Sequence, residues 1–193
     1  MLIVTSEGKS ELVVNKSKFI GYSIISRSRE QFLDKVGEIK KNNPSSSHTV
    51  FGLRIKKSIV EPHFSDDGEP SGTAGRPLIN ILESKKIINC GLAVVRYYGG
   101  INLGMGGLAR AYSQAGIGAL INSKIAIFIN YNNYKISIEY NKLDKLINVI
   151  YKNKGKIYEK KFKEKVEVFI SLPIGAEKLI KEEFKMIDIT LID

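Results

Sequence analysis

Eleven of the 17 glycines in this 193-residue chain fall between Gly68 and Gly118. Two segments hold most of them: Gly68-Glu69-Pro70-Ser71-Gly72-Thr73-Ala74-Gly75, and Gly99-Gly100-Ile101-Asn102-Leu103-Gly104-Met105-Gly106-Gly107. Glycine loses more backbone entropy on folding than any other residue, so such density marks positive φ or a close approach of the backbone by another group. Two such loops in one region point to a binding surface rather than to turns alone. Around them the chain reads as α+β. Strands are expected at Glu11–Asn15, Lys18–Ser26, His48–Lys56, Cys90–Tyr98 and Ile125–Ile129, from runs of β-branched and alternating residues. A helix opens at Ser28, with Gln31 completing a capping pair; a second starts at Pro77, and a third runs from Gly106 or Gly107 to Leu120.

After residue 130 the periodicity changes. Tyr134, Ile136, Ile138 and Tyr140 alternate with polar residues, and Leu143, Leu146, Ile147 and Ile150 follow at helical spacing. A strand over Ile157–Phe162, another over Val166–Leu172, a helix over Ala176–Phe184 and a strand over Ile187–Leu191 complete a βαββαβ order, the ferredoxin-like pattern. Two domains are therefore expected, residues 1–130 and 131–193, joined by the polar stretch Asn130–Asn133. A single cysteine, Cys90, excludes an intrachain disulfide, no apolar run nears the roughly 18 residues of a membrane span, and the first residues lack a signal-peptide pattern, so a cytoplasmic protein with no membrane partner is expected.

The formal net charge of +10 comes from 24 Lys and 6 Arg against 20 acids, and Lys, with its AT-rich codons, inflates the total. The charge is more informative locally. No Asp or Glu occurs from Ser84 to Ile138, while Lys85, Lys86, Arg96, Arg110, Lys124 and Lys135 do. Arg96 ends a strand and Arg110 lies one turn into the next helix, flanking a glycine loop whose N–H groups suit a phosphate. Tyr97, Tyr98 and Tyr112 are possible stacking faces for bases. Gly104-Met105-Gly106-Gly107-Leu108-Ala109 satisfies a dinucleotide-binding spacing. It stands five residues beyond the strand and lacks the acidic residue that would hold a ribose, so no nicotinamide cofactor is expected. There is no phosphate-loop lysine either.

Asp66, Asp67 and Glu69, with His63 or His48 near in sequence, form an alternative metal-binding set for a hydrolase. Turn chemistry with ion pairs to Arg76 accounts for the same acids. His48 is expected as a hydrogen-bonded residue at the core edge. Seven lysines from Lys152 to Lys165 read as a solvated strand edge.

Ser65-Asp66-Asp67-Gly68-Glu69-Pro70-Ser71-Gly72-Thr73-Ala74-Gly75-Arg76-Pro77, then Val94-Val95-Arg96-Tyr97-Tyr98-Gly99-Gly100, then Gly106-Gly107-Leu108-Ala109-Arg110-Ala111-Tyr112, resemble the signature of the IMPACT/YigZ family in order and spacing. Met105 and Ala109 stand where Thr and Val are usual. The resemblance implies an N-terminal domain similar to domain IV of elongation factor G and a C-terminal domain similar to that factor's last domain. It also implies a role in the control of translation. On both grounds the expected function is a non-catalytic, RNA- or ribosome-associated regulator. Its nucleic-acid surface would comprise Arg76, Lys85, Lys86, Arg96, Tyr97, Tyr98, Gly99, Gly100, Gly104, Gly106, Gly107 and Arg110. The metal-dependent hydrolase and a protein–protein adaptor remain as alternatives, and no cofactor is expected.

Overall fold

The computed structural model describes residues 1–185 and 187–192. The chain divides into two compact units, Met1–Phe128 and Ile129–Asp193.

In the first unit, the strands β2 (Lys9–Val14), β3 (Ser17–Ile25), β4 (His48–Lys56), β5 (Val60–Ser65) and β6 (Cys90–Tyr97) form one antiparallel sheet in the order β2-β3-β6-β4-β5. The central strand β6 reads Cys-Gly-Leu-Ala-Val-Val and is buried along that whole run, as a strand covered on both faces must be. Alternate residues go to opposite layers. Leu92 and Val94 pack with Leu78, Leu82, Leu108 and Tyr112 of the helices α2 (Gly75–Ser84) and α3 (Gly104–Ile121). Ala93 packs with Phe32 and Val36 of the helix α1 (Arg29–Lys41). The α1 terminus forms as the sequence indicates: Ser28 is the N-cap, its Oγ accepting from the Gln31 N–H at 3.1 Å. Gln31 Oε1 accepts from the N–H of Arg27 rather than from that of the cap residue.

Two strands lie outside the expected set. β1 (Leu2–Ser6) pairs antiparallel with β7 (Lys124–Ile127) in a separate ribbon, and its Val4 enters the main core. β5 carries Pro62, which the sheet accepts because β5 is an edge strand. α2 begins at Gly75, two residues before Pro77, and α3 at Gly104 rather than Gly106, so both glycine loops run directly into helices.

The second unit holds β8 (Tyr131–Ile138), a 3₁₀ turn at Tyr140–Lys142, α4 (Leu143–Lys152), β9 (Lys156–Phe162), β10 (Val166–Pro173), α5 (Glu177–Glu183) and β11 (Asp188–Ile192). Its antiparallel sheet has the order β11-β8-β10-β9. Val166, Val168, Ile170 and Leu172 put one face of β10 against Leu146, Ile150 and Ile180 of the two helices. The expected linker is largely strand. Tyr131, Asn132 and Asn133 pair in register with Pro173, Leu172 and Ser171, because the ladder is made by backbone groups regardless of side-chain polarity. The lysine-rich β9 is an edge strand, with Lys161 paired to Glu159 and stacked over Phe169. No helix among the described residues is long and apolar enough to cross a membrane.

Candidate functional site

The loop between β5 and α2 carries three acids, and the structure sends each to a different place. Asp66 accepts the backbone N–H groups of Gly72, Ala74 and Gly75 at 2.9, 3.0 and 2.8 Å, closing the loop onto the start of α2. Asp67 accepts from the Thr49 N–H at 2.7 Å and faces Lys40 at 3.3 Å. Glu69 turns inward and is 8% exposed. Its Oε1 receives Arg96 Nη1 at 2.6 Å and the Tyr112 hydroxyl at 2.6 Å. The expected ion pairs between these acids and Arg76 are not formed: Arg76 is exposed on the second residue of α2, with its guanidinium 5.9 Å from the Phe64 ring. His63 stands on β5 beside Glu61, with Nε2 at 3.8 Å. Among the described residues no three His, Cys, Asp or Glu side chains gather as a metal would require.

Arg96 was expected to meet phosphate and does not face solvent. It is 5% exposed, held by Glu69 and flanked by the rings of Phe19 and Tyr98 at 5.5 and 5.2 Å. An arginine at that depth needs a counter-ion, and a carboxylate 27 positions upstream supplies it. The acid-free run from Ser84 to Ile138 is acid-free in sequence only. Tyr112, expected as a stacking face, is fully buried in edge-to-face contact with Phe19. Burial first, and then its bond to Glu69, hold the phenol well above its usual range, so it stays a protonated donor.

Around this knot opens a cavity of about 510 Å³ between the acidic loop and the second glycine loop. Its walls include His48, Glu69, Arg96, Tyr98, Gly104 and Met105. His48 Nδ1 lies 2.7 Å from the Asp67 carbonyl, which can only accept, so Nδ1 carries a proton, and in the tautomer with that proton alone Nε2 is an acceptor. Nε2 is 3.9 Å from Glu69 Oε1. The ring of Tyr98 is half-exposed and its hydroxyl donates to Asn102 Oδ1 at 3.2 Å.

The second loop is shaped by close contact. A Cβ at Gly99 would stand 2.1 Å from the carbonyl carbon of Lys16, and the Gly99 N–H donates to Ser17 Oγ at 3.1 Å. Gly104 enters α3 at φ +67, where a side chain is strained, while Gly106 in the first turn faces open space. No side chain caps α3 and no acid stands in its first turn.

The predicted residues thus separate into groups. Arg96, Tyr98 and Gly104 line the cavity together with His48 and Glu69, which the sequence grouped only as an alternative metal-binding set and not with Arg96. Tyr97 is half-buried with its hydroxyl on Asn43 Oδ1. Gly100 and Gly107 shape the loop and the first turn of α3. Lys85 and Lys86 lie exposed at the end of α2. Arg110 lines a separate, shallow groove between α2 and α3 of about 590 Å³.

The model of the Impact N-terminal domain matches residues 15–120, more than half of the chain and all of the elements that build the cavity. An IMPACT family member of Haemophilus influenzae is 31% identical over 170 residues, covering 87% of this chain and 81% of its own. The IMPACT family member YigZ of Escherichia coli is 35% identical over 177 residues, covering 91% and 86%. A crystal structure described as that of a hypothetical protein superposes with a TM-score of 0.68 at 26% identity, over 100% of this chain and 97% of that one. The motifs that close around Glu69 and Arg96 are thus those of a known group, and the chain belongs to the IMPACT family.

Proposed function

We propose that this protein is a non-catalytic regulator of translation that docks on RNA, free or within the ribosome, through the outer face of α2 and α3. The observation that carries this reading is a groove without acids beside cations without partners. The groove walls include Pro77, Asn80 and Ser84 from α2 and Arg110, Ser113 and Gln114 from α3, and no Asp or Glu lines it. Among the described residues Arg76, Lys85, Lys86 and Arg110 form no ion pair, whereas Lys9, Lys18, Lys35, Lys40, Lys57 and Arg96 of the same unit do. Unpaired arginines on a helical face hold phosphates in bidentate fashion, and their charge is not cancelled locally. Arg96 belongs to the buried knot and is left out of this surface. Family membership supports the translational setting. The strand order of the second unit, which in local numbering is 4-1-3-2, supports the ferredoxin-like likeness to the last domain of elongation factor G, as the mixed architecture of the first supports a likeness to its domain IV.

The test is the salt dependence of binding to ribosomal subunits and to an isolated RNA hairpin. An Arg76→Ala, Arg110→Ala variant is expected to bind more weakly, with a slope of log affinity against log salt shallower by about 1 to 2 as two phosphate contacts are lost. Unchanged affinity and slope overturn the assigned face. Salt-insensitive association with a protein and no RNA in the same pull-down would make the chain an adaptor instead.

A further inference from the structure

The cavity beside Glu69 is separate from the α2–α3 groove and has its own chemistry. One part of its wall is the start of α3, an 18-residue helix with neither a capping side chain nor an acid in its first turn. The first N–H groups of a helix have no acceptor within it, and the helix dipole adds a positive potential there, so this end calls for anionic oxygens. Open space at Gly106 leaves the approach unobstructed.

The second part of the wall is polar, with the side chains of Glu69 and Arg96, 4% and 6% exposed, beside that of His48. Both donors to Glu69 reach Oε1, and among the described residues none reaches Oε2. A carboxylate oxygen that no protein donor reaches, on the wall of a cavity, is free to accept from a ligand. Glu69 and His48 stand side by side on this wall, with Nε2 3.9 Å from Oε1, and offer Oε2 and, in the Nδ1–H tautomer, Nε2 as acceptors. The third part is the half-exposed ring of Tyr98, with Leu103, Met105 and Leu108 as apolar surroundings.

A ligand that answers all three must bring a phosphate or similar oxyanion, two adjacent N–H donors, and a flat aromatic body. Guanine presents N1–H and the N2 amino group side by side. Adenine and cytosine each set a ring-nitrogen acceptor beside their amino group, which would leave His48 Nε2 facing another lone pair, and uracil offers a single N–H. A small zwitterion would satisfy the charges but leave most of the 510 Å³ and the tyrosine face unused. We propose that this cavity binds a guanine nucleotide, with the base on Tyr98 and against Glu69 and His48, and the phosphate at the start of α3. The same chemistry is offered by free GMP and by the 5′-phosphorylated guanine end of an RNA strand.

Calorimetric titration of the full chain tests this with GMP, guanosine, AMP, and a short single-stranded RNA beginning with G that either carries or lacks its 5′ phosphate. GMP, or the phosphorylated RNA end if the strand is the natural source, is expected to bind at least tenfold more tightly than its unphosphorylated counterpart. GMP is likewise expected to exceed AMP by at least tenfold. Because Glu69 and Arg96 also hold the fold, the variant of choice is Gly106→Asp. A Cβ at this position meets no neighbouring atom within 4 Å, the added charge suits the first turn of a helix, and the melting temperature should not fall. It is expected to lose at least tenfold in affinity for the phosphorylated ligand. The Arg76→Ala, Arg110→Ala variant should retain wild-type GMP affinity, so failure of the groove and failure of the cavity are read separately. The proposal is overturned if neither GMP nor the phosphorylated RNA binds, if guanosine or AMP binds as well as GMP, or if Gly106→Asp binds as the wild type does.

Discussion

One carboxylate oxygen of the first unit takes both a guanidinium and a phenol, each at 2.6 Å. Glu69 comes from a loop, Arg96 from the central strand and Tyr112 from α3, so one side chain joins three elements. Replacing Glu69 by Gln removes the charge that neutralises Arg96, whose side chain is 6% exposed. A buried ion left without its partner costs about 3–5 kcal/mol. Tyr112→Phe removes one hydrogen bond to a charged group and should cost about 1.5–3 kcal/mol. Urea unfolding of the two variants checks the order, and a Glu69→Gln variant as stable as the wild type would show that the pair holds nothing together. None of this was legible as a pair in the sequence. Arg96 was recognisable as unusual because glycines and tyrosines surround it, but its partner lies across a strand, a helix and a loop, where local charge counting does not reach. That is why a residue expected on the surface proved to be in the core.

At the scale of elements, capping separates what the sequence could and could not show. Ser28 announces α1, and β4 runs over His48–Lys56 as its alternation indicates. α2 is held differently: its N-cap is Ala74, and Asp66 reaches across from eight and nine positions upstream to take the N–H groups of Ala74 and Gly75, as well as that of Gly72. A cap so remote looks like a turn residue or a metal ligand when read along the chain. Asp66→Ala should therefore destabilise the protein by about 2–3 kcal/mol, since several bonds to a charged group are lost. Ser28→Ala should cost about 1 kcal/mol. Equal effects in thermal or urea unfolding would show that Asp66 is no more than a loop residue. The strands that sequence reading missed have equally local reasons. β1 is short and gains its place from pairing with β7, some 120 positions away, and β5 contains a proline that argues against any strand but an edge one.

For the whole molecule, the net charge of +10 divides as +7 before residue 131 and +3 after it. Little of that excess is informative by itself. In the second unit Lys135 and Lys163 both pair with Glu167, and Lys145 pairs with Glu183, so much of the lysine is answered on the surface. In the first unit the informative part is the handful of exposed cations left without acids. Each unit also closes its own core: Leu78, Leu92 and Tyr112 belong to one cluster of buried residues, Ile136, Leu146 and Ile170 to another. A chain ending at Phe128 is accordingly expected to fold alone and to keep any nucleotide affinity of its cavity, as circular dichroism and titration would show. A molten or aggregated fragment would mean that the first core is incomplete without the rest.

The shared oxygen of Glu69 has a consequence for descent. Arginine and tyrosine here both answer to one glutamate oxygen, so a change at Glu69 leaves a buried cation and a buried donor without an acceptor and a change at Arg96 leaves a buried carboxylate without its counter-ion, whereas a change at Tyr112 removes one hydrogen bond and leaves the ion pair in place. Positions 69 and 96 therefore form a single heritable unit: a substitution at one of them alone passes through an intermediate with a buried unpaired charge, while position 112 can change with less loss.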